Sequence, residues 1–251
     1  SNLGNQTGYI DKESLPTLGT VSRNQNGYPI GYFFGYKAIG VFQTQEEIDN
    51  YISPATGKPI QPNAVPGDTK FEDLNGDGVI SDDNEDRTMI GKPNPDWMVG
   101  LTVAADWNGF DLSAFFQGSF GADVFDALRR YELAAVNYTS DALERWTGPG
   151  TSNSMPRIVL GDTPKNFRPS TLLVHDASFL RLRNLQVGYT LPAQLTRKAY
   201  IQRLRFYASF DNLLTITGYK GMDPEIGSTM GIDKGVYPQA RVYTFGLNLT
   251  F

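Results

Sequence analysis

The last eleven residues, RVYTFGLNLTF, constrain the fold of this chain more than any other stretch. Tyr243, Phe245, Leu247, Leu249 and Phe251 share one parity, and Val242, Thr244, Gly246, Asn248 and Thr250 share the other. A period of two with one apolar side is the mark of a β-strand. A soluble sandwich strand alternates in the same way, but large aromatics at both ends of the apolar row fit the interfacial girdles of a membrane β-barrel better.

The pattern recurs upstream. In WMVGLTVAADW, Trp97, Val99, Leu101, Val103, Ala105 and Trp107 share a face, again with aromatics at both ends. Asn108-Gly109 follows, a favoured tight hairpin turn. Phe110, Leu112, Ala114 and Phe116 then alternate with Asp111, Ser113, Phe115 and Gln117. In RLRFYASFDN, Leu204, Phe206, Ala208 and Phe210 oppose Arg203, Arg205, Tyr207, Ser209 and Asp211. An apolar row backed by a charged one suits a lipid exterior and a water-filled lumen. In FLRLRNLQVGYTLP the phase slips: Leu180 and Leu182 have one parity, and Leu185, Val187 and Tyr189 the other. A β-bulge near Arg183 and Asn184 would restore a single apolar face. A further strand is expected near residues 30–43.

The connections alternate in length. Segments 44–96, 119–175 and 214–240 are long, and the turns at 107–109 and 191–200 are short. Outer-membrane barrels are built with long loops on one side and short turns on the other. With the final strand running toward a periplasmic end, every long connection falls outside the cell. The expected fold is therefore all-β, a portion of an antiparallel transmembrane β-barrel.

Within the first long segment, DLNGDGVIS places Asp73, Asn75 and Asp77 at positions 1, 3 and 5 of a calcium-loop spacing. Gly78 falls at the sharp turn, and Val79 would offer its backbone carbonyl. Position 12 is Asn84 rather than Glu, and acids fall on Asp82, Asp83, Glu85 and Asp86. Prolines and glycines on both sides rule out the flanking helices of a calcium sensor. Two readings stand: a structural site for a hard cation, or a solvated acidic turn.

Composition narrows the function. A net charge of −5 argues against nucleic-acid binding. Without cysteine there is no disulfide or thiolate site. No apolar run reaches the roughly 18 residues of a transmembrane helix. The single histidine, His175, enters a strand in LLVHDASF, and no nucleophile–base set or phosphate loop accompanies it, so an enzyme is not expected. SDALERWTG reads as a short helix with Ser140 as N-cap, running through Trp146. Tyr131, Tyr138 and Trp146 are the aromatics of this region that would contact sugar or a lid protein, or else fill the loop core.

Several segments resemble the SusC/RagA-type TonB-dependent transporters of Bacteroidetes outer membranes. They are GDTKFEDLNGDGVI…DRTMIGKPNPDWMVGL, ASFLRLRNLQVGYTLP, LRFYASFDNLLTITGYKGMDPE and YPQARVYTFGLNLTF, in the family's order. The acidic run SDDNED is longer than the family's usual spacing, so Asp86 would close the cation site through a bulged loop. The resemblance implies a barrel of about 22 strands enclosing an N-terminal plug, of which residues 1–251 would be a C-terminal portion carrying about six strands and no plug. It implies an active importer of oligosaccharides or peptides in the outer membrane, energised by TonB and capped by a SusD-like surface lipoprotein. The expected partners are therefore that lipoprotein, the rest of the barrel and plug, TonB, the lipid bilayer and the cargo. It also implies that the terminal Phe251 acts as an assembly signal. The alternative is a soluble calcium-dependent β-sandwich that binds glycans or adheres.

Overall fold

In the computed structural model, which describes residues 21–83, 85–128, 137–225 and 231–251, the alternating segments form strands. In chain order the described strands are β1 (Ser22–Arg23), β2 (Tyr32–Tyr36), β3 (Ala38–Val41), β4 (Thr69–Phe71), β5 (Arg87–Gly91), β6 (Trp97–Trp107) and β7 (Phe110–Phe120). Then come β8 (Asp123–Asp126), β9 (Val174–Asp176), β10 (Phe179–Thr190), β11 (Arg203–Thr217), β12 (Ile232–Asp233) and β13 (Val242–Thr250). The chain divides into a loop unit, residues 1–94, 123–175 and 226–234, and a sheet unit, residues 95–122, 176–225 and 235–251.

The sheet unit is a five-stranded sheet in the order β13-β11-β10-β7-β6, with every neighbouring pair antiparallel. β6 and β7 form a hairpin closed by Asn108 and Gly109, at φ of 48° and 89°. That turn needs a positive φ at both positions, which Asn tolerates and Gly adopts freely. Register carries one apolar row across all five strands: Trp107 opposes Phe110, Phe110 opposes Tyr189, Tyr189 opposes Phe206, and Phe206 opposes Leu247.

The phase slip in β10 is a bulge. On both sides of the strand the register shifts between Leu182 and Asn184, so Arg183 is passed over. Leu182 then opposes Phe116, and Leu185 opposes Ala114, both on the apolar row. The extra residue leaves Arg183 and Asn184 consecutive on the polar side, the re-aiming that bulges achieve.

The strand expected near 30–43 lies elsewhere. It splits into β2, in a three-stranded sheet with β1 and β5, and β3, which pairs with β4. All five residues of β2 are buried. A strand covered on both faces has no reason to alternate, and YFFGY does not. The long sheet thus contains five strands where about six were expected. β7 and β11 end later than the alternation suggested, and β10 and β13 also begin later, so the connections between sheet strands span 121–178 and 218–241.

The loop unit has its own cores. Val21, Phe33, Phe125, Ala127, Leu173 and Ile232 form one cluster, and Ala142, Met155 and Phe167 another. Short β8 and β12 pair in parallel there, with Ile232 opposite Phe125. Residues 140–144 form a 3-10 turn rather than a helix reaching Trp146, with Thr139 at its N-cap and Arg145 already extended. The Gly-Pro-Gly run at 148–150 leaves no room for further helical turns.

Candidate functional site

The polar face of the sheet unit is a network of ion pairs built on β10 and β11. The Arg181 side chain, 2% exposed, donates from Nη2 to Asp223 Oδ1 at 2.6 Å, from Nη1 to Glu225 Oε2 at 3.0 Å and from Nε to Thr215 Oγ1 at 2.9 Å. Arg183, turned to the same face by the bulge, donates to Glu225, to Gln117 Oε1 and to Asn212 Oδ1. Asn184 donates to Ser209 Oγ and Asp211 Oδ1. Asp223 and Glu225 lie beyond the end of β11, so the two arginines anchor the start of the 218–241 connection to the sheet. Burial pushes the Asp223 carboxyl up, but the backbone N–H groups of Gln239 and Glu225 and the Arg181 guanidinium outweigh it and hold the group below its ordinary range. Near the other end of the sheet, Arg205 donates to both oxygens of Asp111, across β10.

On the opposite face the apolar row is open. Trp97, Trp107 and Phe245 are 72%, 76% and 75% exposed. The terminal Phe251 is exposed as well.

The acidic turn of the loop unit is closed by its own side chains. Asp73 accepts from the Gly76 N–H and the Gly78 N–H, both at 2.8 Å. Asp77 Oδ1 accepts from the Val79 N–H. Asp86, fully buried, accepts from the Leu74 N–H at 3.2 Å, the Ser81 N–H at 2.9 Å and the Ser81 hydroxyl. The Asn75 amide donates to both Asp77 Oδ2 and Glu85 Oε2. Among the described residues, no three acid, histidine or cysteine side chains gather closely enough to hold a metal ion. The turn packs through Gly78, where an added Cβ would meet Ser53 and Thr56 at 2.8 Å.

Of the three aromatics singled out from sequence, Tyr131 lies outside the described residues, and Tyr138 is exposed. Trp146 donates from Nε1 to Gln43 Oε1 at 3.2 Å and lies flat against Gly67, whose φ is 94°. That is a packing role in the loop unit. His175 Nε2 lies 3.8 Å from Asp126 Oδ2. The Arg181–Asp223–Glu225 network escaped sequence reasoning. Its signal was the spacing of two arginines in FLRLRN against the acids of GMDPE, which only pairing brings together.

No family model matches the chain. Over 238 residues it is 34% identical to TonB-dependent receptor P3 of Formosa agariphila, a match covering 90% of the chain and 23% of that receptor. It is 30% identical over 233 residues to TonB-dependent receptor SusC of Bacteroides thetaiotaomicron, covering 92% of the chain and 21% of that receptor. Its fold matches the structure of the RagAB peptide transporter with a TM-score of 0.70 and 26% identity, covering 98% of the chain and 25% of that structure's chain. The open-open state of the RagAB peptide importer gives a TM-score of 0.68 at 26% identity, covering 94% of the chain and 24% of that chain. The chain thus spans less than a third of the length of the proteins it matches. By sequence and by fold, it is a segment that belongs to the SusC/RagA-type TonB-dependent receptors.

Proposed function

We propose that the chain is part of an outer-membrane importer that takes up oligosaccharides or peptides, draws energy through TonB and works with a SusD-like lid lipoprotein. The observation that carries this reading is the two-faced sheet. One continuous apolar row is exposed across five strands, and the other face is laced with ion pairs. Lipid on the first side and a polar lumen on the second account for both. A sheet in hydrocarbon must have its edges paired, so β6 and β13 take their outer partners from further strands of the same barrel. The soluble β-sandwich alternative finds no support among the relatives, which are TonB-dependent receptors.

In this reading the segments 44–96, 119–175 and 214–240 are extracellular loops, and the loop unit is where lid and cargo dock. Growth of a strain lacking the full receptor on candidate glycans and peptides tests it. Loss of growth on one class is expected, and unaltered growth on all of them counts against import.

Phe251 as an assembly signal belongs to the same proposal, supported by its exposed aromatic ring at the end of the lipid-facing row. Deleting it is expected to lower barrel insertion without altering transport per inserted molecule.

So does calcium at the 73–86 turn. The oxygen spacing of Asp73, Asn75 and Asp77 supports it, as does the approach of the Asp77 and Glu85 carboxylates to one amide. The Val79 carbonyl and Asp86 would complete the set. An ion of modest affinity, about 10⁻⁴–10⁻³ M as in extracellular modules, would add to the closure that the side chains already provide.

A further inference from the structure

The loop unit contains a cavity of about 710 Å³, within the range of small-ligand sites. Its walls come from Thr56 and residues 58–64, from the back of the acidic turn at Gly78–Ile80, and from residues 163–165 with Arg168. The charged residues of the lining are Lys58, Lys165, Arg168 and Asp68, three cations against one anion. Asp68 is already neutralised, since its Oδ1 accepts from Arg157 Nε at 2.6 Å and from Asn166 Nδ2 at 3.1 Å. A cationic cavity in a chain of net charge −5 is a local concentration of positive potential.

The cations are incompletely matched. Lys165 pairs with Asp82, and Asp82 Oδ1 is 3.9 Å from Arg168 Nη1, too far for a hydrogen bond. Nη1 is shielded from solvent and has no hydrogen-bond partner. The Arg168 guanidinium lies over the rings of Tyr36 and Phe71, 4.6 and 4.9 Å from their centroids, which fixes its position. Asp82 itself is 69% exposed, so its carboxylate is held from one side only and can exchange with another.

We propose that this cavity binds a carboxylate of a short acidic peptide, at the position the Asp82 side chain now neighbours. Lys58, Lys165 and Arg168 supply the charge. Asn63 offers an amide for a peptide backbone, Gln61 being engaged at both ends by Thr69 O and the Phe71 N–H, and Pro59 and Ile60 form an apolar wall. Among the described residues no Phe, Tyr or Trp lines the cavity, so the ring platform on which a pyranose face packs is missing, which favours peptide over sugar acid. The inference deepens the import reading and rests on it for the arrival of cargo at these loops.

The test is calorimetric titration of the full-length receptor in detergent at low salt. The probes are tri-glutamate, amidated tri-glutamine and tri-galacturonate. Tri-glutamate is expected to bind and the neutral peptide not to. Lys58→Gln and Lys165→Gln should each weaken binding by roughly tenfold, as for loss of one charge-assisted contact. Asp82→Asn, which removes the internal competitor, should strengthen it. Lys58 is exposed, so its variant is expected to fold normally. Equal binding of the neutral peptide, no effect of Lys58→Gln, or weaker binding in Asp82→Asn overturns the proposal. Tighter binding of tri-galacturonate overturns the assignment to peptide. Uptake separates this inference from the import reading. Absent binding with intact peptide uptake sinks the cavity and leaves import standing, whereas intact binding without any uptake supports the cavity and sinks import.

Discussion

Arg205 on β11 and Asp111 on β7 form an ion pair across the strand that separates them, with Arg205 Nε 2.9 Å from Asp111 Oδ1. The pair passes directly over Gly188 of β10, which opposes Asp111 on one side and Tyr207 on the other. A Cβ at Gly188 would collide with the guanidinium and with the carboxylate together. Glycine at this position lets the pair lie directly over the backbone, and a methyl group here would push both side-chain ends aside.

Gly188→Ala is expected to part the Arg205–Asp111 pair and to destabilise the sheet by about 1 kcal/mol, the low end of overpacking, because the atoms it meets are side-chain ends that can move. In an Asp111→Ala background the added methyl meets less resistance, so its cost should shrink. Thermal unfolding of the full receptor in detergent, followed by heat-modifiable gel migration, checks both. Equal costs in the two backgrounds would disprove the coupling.

Leu247 opposes Phe206 and lies near the middle of β13, among the apolar residues of that strand. If those residues face lipid, Leu247→Arg costs about 2–4 kcal/mol, the penalty of a cation near the bilayer midplane. Thr244→Arg, on the polar side of the same strand and opposite Ser209, should be tolerated. Comparable losses from the two variants would mean that the faces are assigned wrongly.

The Asp223 carboxyl is held below its ordinary range in the folded protein, so its contribution to stability has a definite sign. A depressed folded pKa stabilises fully above the unfolded value of about 3.9 and is lost as pH falls through the lower folded value. Hydrogen exchange in 218–241 should therefore be flat from neutral pH down to about 5 after correction for intrinsic rates, and protection should fall only in stronger acid. Asp223→Asn should lower protection at neutral pH and remove the acid step. An acid step unchanged in this variant would assign it to another group.

Asp86 accepts three hydrogen bonds while fully buried, whereas Asp77 accepts at the exposed tip. Asp86→Ala is expected to open the 73–86 turn to protease with or without calcium, because each lost bond to a charged group is worth about 1.5–3 kcal/mol. Asp77→Ala, which loses only exposed contacts to the Val79 N–H and the Asn75 amide, should cost less than Asp86→Ala with chelator and more with calcium than without. Protection of the wild-type turn that is the same with calcium and with chelator would remove the ion from the proposal and leave the side-chain closure intact.

Which side chains share a face within each strand of the long sheet can be read from the order of residues. That order also marked the hairpin at Asn108-Gly109 and the slip at Arg183, because side-chain alternation and turn chemistry are local properties of the backbone. The family was legible from four short segments for a related reason: they hold the strand ends and glycine turns that local geometry restricts. The tertiary structure alone decided which strands are neighbours. It sent Tyr32–Tyr36 into a separate sheet, where all five residues are buried, and a strand covered on both faces leaves no alternation to read. It brought Arg181 to Asp223 and Arg205 to Asp111, contacts across 42 and 94 positions that depend on register and loop closure rather than on any local pattern. It also buried Asp86 as the hydrogen-bonded closure of the acidic turn, since burial is set by what the rest of the chain packs around a residue.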